Sequence, residues 1–134
     1  MNTQNQVSTA AIDAATYAVQ ANPSFLSQPQ VVRAAIGDVF GISNFGVNYT
    51  RIPPGAISAL LHFHSHQDEA VFILSGHPTL CTDAGESLLA PGMFVAFQAS
   101  KSVFHRIVNH TESDVIYIEI GDRNVADIVT YKRQ

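Results

Sequence analysis

The segment LHFHSHQDEA, residues 61–70, concentrates side chains that can bind a metal ion. It contains three of the six histidines of the chain, followed by two acids: His62, His64, His66, Asp68 and Glu69. Side chains two residues apart on a β-strand leave the same face of the sheet, so His62 and His64 can point together. A helix would need an i, i+4 spacing to bring two imidazoles together. The segment therefore predicts a strand that presents two imidazoles, with a carboxylate returning after a short turn.

A metal site built on these two histidines needs further ligands. Glu69 can return from the turn at the start of the next predicted strand. His105 is the best remaining histidine because it lies within the later strand-like run FHRIVN, whereas His77 lies in a Gly-Pro turn and His110 follows a strand end. The predicted metal ligands are His62, His64, Glu69 and His105.

Three imidazoles and one carboxylate favour a divalent transition metal, namely iron, manganese, nickel, zinc or copper. Magnesium and calcium prefer sites made only of oxygen ligands, so this set of side chains disfavours them. A six-coordinate metal with this ligand set keeps two adjacent positions open for water, oxygen or substrate. Such open positions are typical of a reactive site and not of a closed structural one.

Length and composition exclude several classes of protein. A chain of 134 residues suits one domain, and its 46% hydrophobic and 13% charged residues argue for a folded globule with a sizeable core. The formal net charge is −4 and the seven Lys and Arg residues are scattered, so we expect no nucleic-acid partner. Cys81 is the only cysteine, which rules out an internal disulfide and is compatible with a reducing compartment.

Two further absences bear on location. The first 20 residues contain no basic residue and no long apolar run, so they do not resemble a signal or transit peptide. No stretch approaches the length of a transmembrane helix. We therefore expect a cytoplasmic chain with no membrane partner.

Residues 1–30 predict an N-terminal arm and residues 31–134 predict a β domain, within a single domain overall. The alanine-rich stretch 8–20 favours a short helix with Ser8 as its N-cap. Beyond the arm, short β-like runs alternate with Gly, Pro, Asn and Asp turns, a pattern typical of an all-β sandwich or barrel. The predicted strands are 31–36, 45–52, 59–64, 70–75, 79–82, 86–90, 93–97, 104–109 and 115–120. The tail after Gly121 is expected to add an edge strand or to cross to another subunit.

The stretch GAISALLHFHSHQDEAVFILSG, residues 55–76, resembles the first conserved motif of the cupins. That motif runs glycine, a spacer, H-x-H, three or four residues, E, six residues and G. The match consists of His62-x-His64, four residues, Glu69, six residues and Gly76. The first spacer is one residue longer than the usual form.

A second stretch is similar to the other cupin motif. It runs from Gly92 through five residues to the triplet Gln98-Ala99-Ser100, and then to His105, three residues and Asn109. Gln98 stands where proline is usual, Ser100 stands where glycine is usual, and two extra residues precede His105. These departures alter a turn and not a ligand.

The resemblance covers roughly residues 40–123 and implies an RmlC-like cupin barrel over 31–134. This fold is a jelly-roll, or double-stranded β-helix. The third histidine inside the first motif resembles the germin-like H-x-H-x-H arrangement, and FGVNYTRIPPGA and YIEIGDRNVADIVTY resemble a bacterial group of small single-domain cupins without an agreed activity. The resemblance also implies a homodimer, a small-molecule ligand in the barrel, and a metal held inside it by His62, His64, Glu69 and His105.

Several polar side chains have alternative interpretations. His66 falls in the turn, which favours a surface position or a contact with a ligand histidine, and Asp68 is either solvated or orients such a histidine. Cys81 favours a buried structural thiol over a redox residue. One strand face carries Val47, Tyr49 and Arg51. Another strand face carries Tyr117 with Val115 and Glu119. Each of these faces can be turned toward the pocket or toward the exterior. The outward residues of VFIL and MFVAF are candidates for a dimer interface.

Two functions follow from these observations. The first is a metal-dependent enzyme acting on a small oxygen-bearing organic substrate, with dioxygenase-like or isomerase/lyase chemistry. The alternative is a binding or sensing module for a small molecule or a metal, without turnover. Isomerase or lyase chemistry requires a separate acid or base, and the sequence singles out none. The sequence leaves open the metal, the substrate, whether any reaction is catalysed, and the roles of His66, His77 and Cys81.

Overall fold

The computed structural model describes residues 7–133 as two antiparallel sheets with a short helical arm; residues 1–6 of the predicted arm and residue 134 of the tail lie outside that part. The described strands are β1 Val32–Ala34, β2 Phe45–Ile52, β3 His62–His64, β4 Glu69–Ser75, β5 Thr79–Thr82, β6 Gly85–Leu88, β7 Phe94–Phe97, β8 His105–Val108, β9 Val115–Asp122 and β10 Val129–Tyr131. An α-helix, α1, spans Ala14–Ala21, and a 3-10 helix spans Ile36–Phe40. The all-β prediction is confirmed.

Each sheet has five strands, in the orders β1-β2-β9-β4-β7 and β10-β3-β8-β5-β6. Inward side chains of both sheets meet in one core, which consists of Ile52, Val71, Ile73, Leu80, Leu89, Ile107, Val115 and Tyr117. Burial of a large apolar side chain contributes about 1.5–3 kcal/mol. This shared core therefore holds the two sheets face to face, and the polar residues at one end of it form the site described below.

The predicted strands and the structure agree best where turn residues mark both ends of a strand. β2 and β5 have the predicted bounds 45–52 and 79–82. β3 begins at His62 and not at residue 59. The tail adds the edge strand β10 beside β3, as one of the two predictions for it stated.

The N-terminal helix begins later than predicted. Asp13 is the N-cap of α1, and its side chain accepts a hydrogen bond from the Thr16 amide at 2.9 Å. The predicted cap, Ser8, is wrong because its backbone amide donates to the Val39 carbonyl at 2.9 Å, which ties that residue to the 3-10 helix. A carboxylate oxygen is a strong N-cap acceptor, so the helix starts where that acceptor lies. Within residues 7–133, neither helix has the length and apolar character needed to cross a membrane.

The arm packs on the outer face of the first sheet. A second apolar cluster, made of Ala18, Phe25, Val32, Ala34 and Ile116, joins α1 to β1 and β9. The Tyr49 ring lies 5.8 Å from the Phe25 ring, and Arg51 donates to Asp114 at 2.8 Å and to the Gln28 carbonyl at 2.7 Å. The face of β2 that carries Tyr49 and Arg51 therefore lies outside the barrel and beneath the arm.

The outward side of β4 and β7 is apolar and uncovered. Phe72 and Leu74 are each 41% exposed, and Phe94 is 61% exposed. The homodimer stays a prediction, and the mass of the purified chain in solution tests it.

Gly76 ends β4 in a conformation that only glycine adopts freely. Its φ is +87°, and a Cβ there would lie 2.6 Å from the Asp114 carbonyl oxygen and 2.9 Å from the Val115 Cα. We expect Gly76→Ala to lower the free energy of unfolding by about 2–5 kcal/mol, the sum of left-handed strain and overpacking against backbone. Chemical denaturation measures the loss.

Gly92 provides the matched control for this substitution. Its φ is +91°, and no atom lies within 4 Å of a built Cβ. Gly92→Ala is expected to cost only the conformational part, about 1–2 kcal/mol. Equal losses in the two variants would show that the contact with Asp114 and Val115 is not what requires glycine at position 76.

Candidate metal centre

Four side chains from three strands meet at one end of the barrel interior. His62 and His64 alternate with Phe63 on β3 and therefore point to the same side. β8 pairs with β3 so that His105 lies directly opposite His62. Glu69 is the first residue of β4 in the other sheet, and it faces these histidines across the barrel. The two-residue spacing on β3 and the register of β8 thus bring all four predicted residues together.

The imidazoles converge on one carboxylate oxygen. The Nε2 atoms of His62 and His105 lie 3.8 Å and 3.6 Å from Oε1 of Glu69, and Nε2 of His64 also contacts that oxygen. One donor atom from each of His62, Glu69 and His105 lies within 4.8 Å of the others. His105 is 5% exposed, so the cluster is largely shielded from water.

Two atoms at the centre of this cluster lack hydrogen-bond partners. Oε1 of Glu69 and Nε2 of His105 are both buried, and neither has a hydrogen-bond partner of acceptable geometry among the residues described. A buried polar atom left without a partner costs about 1–3 kcal/mol. A cation between these atoms removes that cost, and imidazole nitrogen with carboxylate oxygen suits a divalent transition metal. The residues present therefore fit such an ion.

A hydrogen bond on Nδ1 orients each of the three imidazoles. His62 Nδ1 donates to the Leu60 carbonyl at 2.7 Å, and His105 Nδ1 donates to the Val103 carbonyl at 3.1 Å. His64 Nδ1 lies 2.7 Å from Oδ2 of Asp127. Because these partners are acceptors, the neutral rings carry their proton on Nδ1 and turn the Nε2 lone pair toward the centre.

The remaining residues of the histidine segment lie outside the centre. His66 is exposed, and its Nδ1 lies 2.7 Å from the Ser65 hydroxyl. Asp68 is also exposed, and its carboxylate accepts the Ala99 amide at 2.7 Å, which fixes the loop after β7. His77 and His110 are exposed, and Cys81 is buried within β5.

Asp127 is a residue of this site that the sequence did not reveal. It lies in the tail, just before β10, and was not among the predicted site residues. Pairing of β10 with β3 brings it beside His64. The sequence did contain one indication of this role, because an acidic residue next to a predicted edge strand can reach the neighbouring strand. The sequence does not indicate which strand that neighbour is.

A cavity of about 370 Å³ extends from the four clustered residues along the barrel interior. Its wall includes Arg33, Asn48, Tyr117 and Glu119. Glu119 accepts hydrogen bonds from Arg33 at 3.3 Å and from Asn48 at 3.2 Å. The Tyr117 hydroxyl is buried and has no hydrogen-bond partner within the described part of the chain. A cavity of this volume, with a few polar groups, suits a small organic molecule.

Two pKa values in the cluster shift in opposite directions. The neighbouring Glu69 carboxylate raises the pKa of His62, although burial opposes this change. Burial would raise the pKa of Glu69, but the close approach of His105 and His62, with the charge of His64, holds it well below its usual range. In the metal-free protein the cluster thus favours a protonated imidazole beside an ionised carboxylate.

These shifts predict how the stability of the metal-free protein depends on pH. The contacts that raise the pKa of His62 stabilise the folded protein below the unfolded-state pKa of about 6.5. This stabilisation is lost as the pH rises through the pKa of His62 in the folded protein. The contacts that lower the pKa of Glu69 stabilise the folded protein above about pH 4.3, and this stabilisation is lost at lower pH. We expect the melting temperature of metal-free protein to peak between about pH 4.5 and 6.5. In the His62→Gln variant, the melting temperature should fall less steeply as the pH rises above this maximum. The same slope as in the wild type would contradict the assignment of this pH dependence to His62.

Comparison with known proteins identifies the family and the fold of this chain. The Cupin domain family matches residues 48–121. A search of curated proteins finds no match. A sugar phosphate isomerase of the cupin superfamily from Silicibacter pomeroyi is 29% identical with a TM-score of 0.76, and the alignment covers 96% of this chain and 76% of that one. A putative sugar phosphate isomerase from Acidithiobacillus ferrooxidans is 34% identical with a TM-score of 0.72, covering 75% of this chain and 64% of that one.

A third structure bears on the fold alone. It is a conserved protein with a double-stranded β-helix domain from Klebsiella pneumoniae, 16% identical with a TM-score of 0.69, and the alignment covers 93% of this chain and 100% of that one. The predicted double-stranded β-helix is confirmed by these likenesses together with the two facing sheets. Because the family match spans more than half of the sequence, this chain belongs to the cupin domain family.

Proposed function

We propose that this cupin binds a divalent transition metal through His62, His64, Glu69 and His105 and isomerises a small phosphorylated sugar. The observation that carries the proposal is the convergence of three imidazole Nε2 atoms on one carboxylate oxygen beside a cavity. Two similar structures, at 29% and 34% identity, are described as a sugar phosphate isomerase and a putative one. Their described activity supports the choice of isomerase over oxygenase.

Interconversion of an aldose and a ketose moves a proton between two neighbouring carbons and another between their oxygens. Such a reaction needs an electrophile for the two oxygens, a base for the carbon-bound proton, and a proton donor. A bound divalent metal supplies the electrophile, because it polarises a carbonyl or hydroxyl oxygen as a Lewis acid. The base and the donor must come from the chain.

The cavity wall provides a candidate for each of these two roles. Glu119 carries a carboxylate that faces the cavity and is held by Arg33 and Asn48, so it is positioned to take a proton from carbon. Burial raises the pKa of Tyr117, which keeps its hydroxyl protonated. That hydroxyl has no hydrogen-bond partner among residues 7–133 and can donate a hydrogen bond to a substrate oxygen.

The charges around the cavity support a phosphorylated substrate. Three of the seven Lys and Arg residues of the chain line it, namely Arg33, Arg106 and Arg123, beside the carboxylates of Glu69, Glu119 and Asp122. Arg33 is bound to Glu119 and to the Ser58 carbonyl, and Arg123 pairs with Asp38 at 2.8 Å, with side chains 38% and 44% exposed. Guanidinium groups bind phosphate through charge-assisted hydrogen bonds. We therefore place the phosphate at the open end of the cavity and the sugar oxygens toward the histidines.

Hydrogen exchange in deuterated water tests this function directly. Protein loaded with manganese, zinc or iron is incubated with short-chain aldose and ketose phosphates. Proton NMR then follows loss of the signal of the hydrogen bonded to the carbon next to the carbonyl. Exchange or isomerisation of a phosphorylated sugar, with little for the unphosphorylated sugar, is the expected result. If the protein instead consumes oxygen in the presence of diketones or phenols, the result would support the dioxygenase hypothesis. Tight binding of sugar phosphates without exchange would support the binding module.

A further inference from the structure

The segment after β9 contacts the proposed metal centre through a carboxylate. Asp127 places Oδ2 2.7 Å from Nδ1 of His64, and its side chain is 8% exposed. The family match ends at residue 121, so this carboxylate lies outside the matched region. The contact joins residues that are 63 positions apart.

The other oxygen of the same carboxylate binds the turn that follows β3. Oδ1 of Asp127 accepts the backbone amides of His66 at 2.9 Å and Gln67 at 3.0 Å. The next residue, Ile128, donates its amide to the Ser65 hydroxyl at 2.7 Å. These bonds hold one oxygen in place and leave the second directed at His64.

His64 differs from its two neighbours in how its ring is oriented. His62 and His105 each bond to a backbone carbonyl two residues before them, at Leu60 and Val103. His64 instead depends on a charged side chain from a distant element. A carboxylate at this position makes the imidazole a more basic ligand and fixes the proton on Nδ1.

We propose that Asp127 is a positioning residue that holds His64 in the Nδ1-protonated form, so that the tail sets the affinity of the metal centre. This inference rests on the proposed function for its metal. It assigns a role to a residue outside the two motifs and outside the family match.

The variant Asp127→Asn separates this role from a purely structural one. The asparagine oxygen can still accept the amides of His66 and Gln67, so the turn stays anchored. Its amide nitrogen then faces His64 and donates to Nδ1, which drives the ring proton onto Nε2. We expect zinc affinity, measured by chelator competition, to fall about 10–100-fold, the usual effect of losing such a partner. The melting temperature of the metal-free variant should stay close to that of the wild type.

Nitrogen NMR of the metal-free protein gives a second readout that does not depend on metal. At about two pH units above the ordinary histidine pKa of about 6.5, wild-type His64 should carry its proton on Nδ1 and the Asp127→Asn variant should carry it on Nε2. If both proteins show the same tautomer and the same zinc affinity, the inference is overturned.

The same tail provides a matched control. Lys132 follows β10 directly, and its side chain pairs with Asp83 at 3.3 Å and makes no hydrogen bond or ion pair with a histidine of the described residues. Lys132→Ala should leave both the tautomer and the zinc affinity unchanged; a comparable loss of affinity would point to general loosening of the tail and would overturn the specific role of Asp127. If wild-type protein binds no zinc, manganese or iron, the proposed function fails, while the tautomer measurement still decides whether Asp127 positions His64.

Discussion

Replacing both His62 and His105 with alanine is expected to abolish retention of a transition metal while leaving a folded barrel. The two rings provide two of the three donor atoms that lie within 4.8 Å of one another. Loss of a partner beyond the ligands costs about 10–100-fold in affinity, and loss of two ligands is expected to exceed this. Elemental analysis of protein purified without chelator, with chelator competition for zinc, measures the change.

The barrel should survive this double substitution because its core is elsewhere. The apolar core is formed by residues such as Ile52, Val115 and Ile73, all 1% exposed or less. Neither histidine belongs to that cluster. Circular dichroism of the metal-free variant should therefore show the β-sheet signal of the wild type and a cooperative melt.

Two exposed histidines provide the control for the ligand assignment. His77 and His110 lie on the surface, away from the cluster. The double variant His77→Ala/His110→Ala removes the same two functional groups and should retain metal like the wild type. Metal retained by the His62→Ala/His105→Ala protein, at wild-type affinity, would refute the ligand assignment, and the position of the metal would then have to be sought elsewhere.

Tyr117→Phe is expected to lower kcat of the proposed isomerase by about 10²–10⁴-fold, the usual contribution of a positioned proton donor. The ring is fully buried in the core, so the substitution removes only the oxygen. Because the described residues offer that hydroxyl no hydrogen-bond partner, its removal should leave the melting temperature unchanged or raise it. Lower activity together with equal or higher stability is the signature of a group retained for chemistry. Steady-state kinetics and thermal denaturation of the metal-loaded protein measure the two effects.

Tyr49→Phe is the corresponding control outside the cavity. Tyr49 packs against Phe25 beneath the N-terminal arm, on the opposite face of the first sheet. Removal of the Tyr49 hydroxyl should change neither kcat nor the metal content of the protein. Wild-type turnover by Tyr117→Phe would eliminate this hydroxyl as the donor, and the reaction would then need a proton from Glu119 or from water.

The strand register explains why the sequence did not single out these cavity residues. β2 and β9 are apolar or mixed on both faces, so alternation alone does not tell which face is inside. Pairing of Asn48 with Glu119 and of Thr50 with Tyr117 places these residues in the barrel. Tyr49 and Arg51, which looked equally able to reach the pocket, are turned outward and are covered by the arm.

Local rules of chain geometry made much of the site readable from the sequence. Alternation on a strand puts His62 and His64 on one face whatever the remainder of the fold, and glycine and proline turns set the bounds of β2 and β5. Glu69 and His105 were predicted as partners from their positions in two later strand-like runs, and the resemblance to the cupin motifs implied the same four ligands. These inferences rest on short-range periodicity and spacing, which a single sequence displays directly.

The tertiary structure alone decided what lies around that cluster. The bond from Asp127 to His64 depends on β10 pairing with β3, and the inward direction of Tyr117 and Glu119 depends on the register between β2 and β9. Both are long-range pairings chosen by the packing of the whole barrel, and a shift of one residue would reverse every face. The sequence by itself therefore determined a cluster of metal-binding side chains on an all-β scaffold. The tertiary structure decided which side chains orient that cluster and which ones complete the cavity.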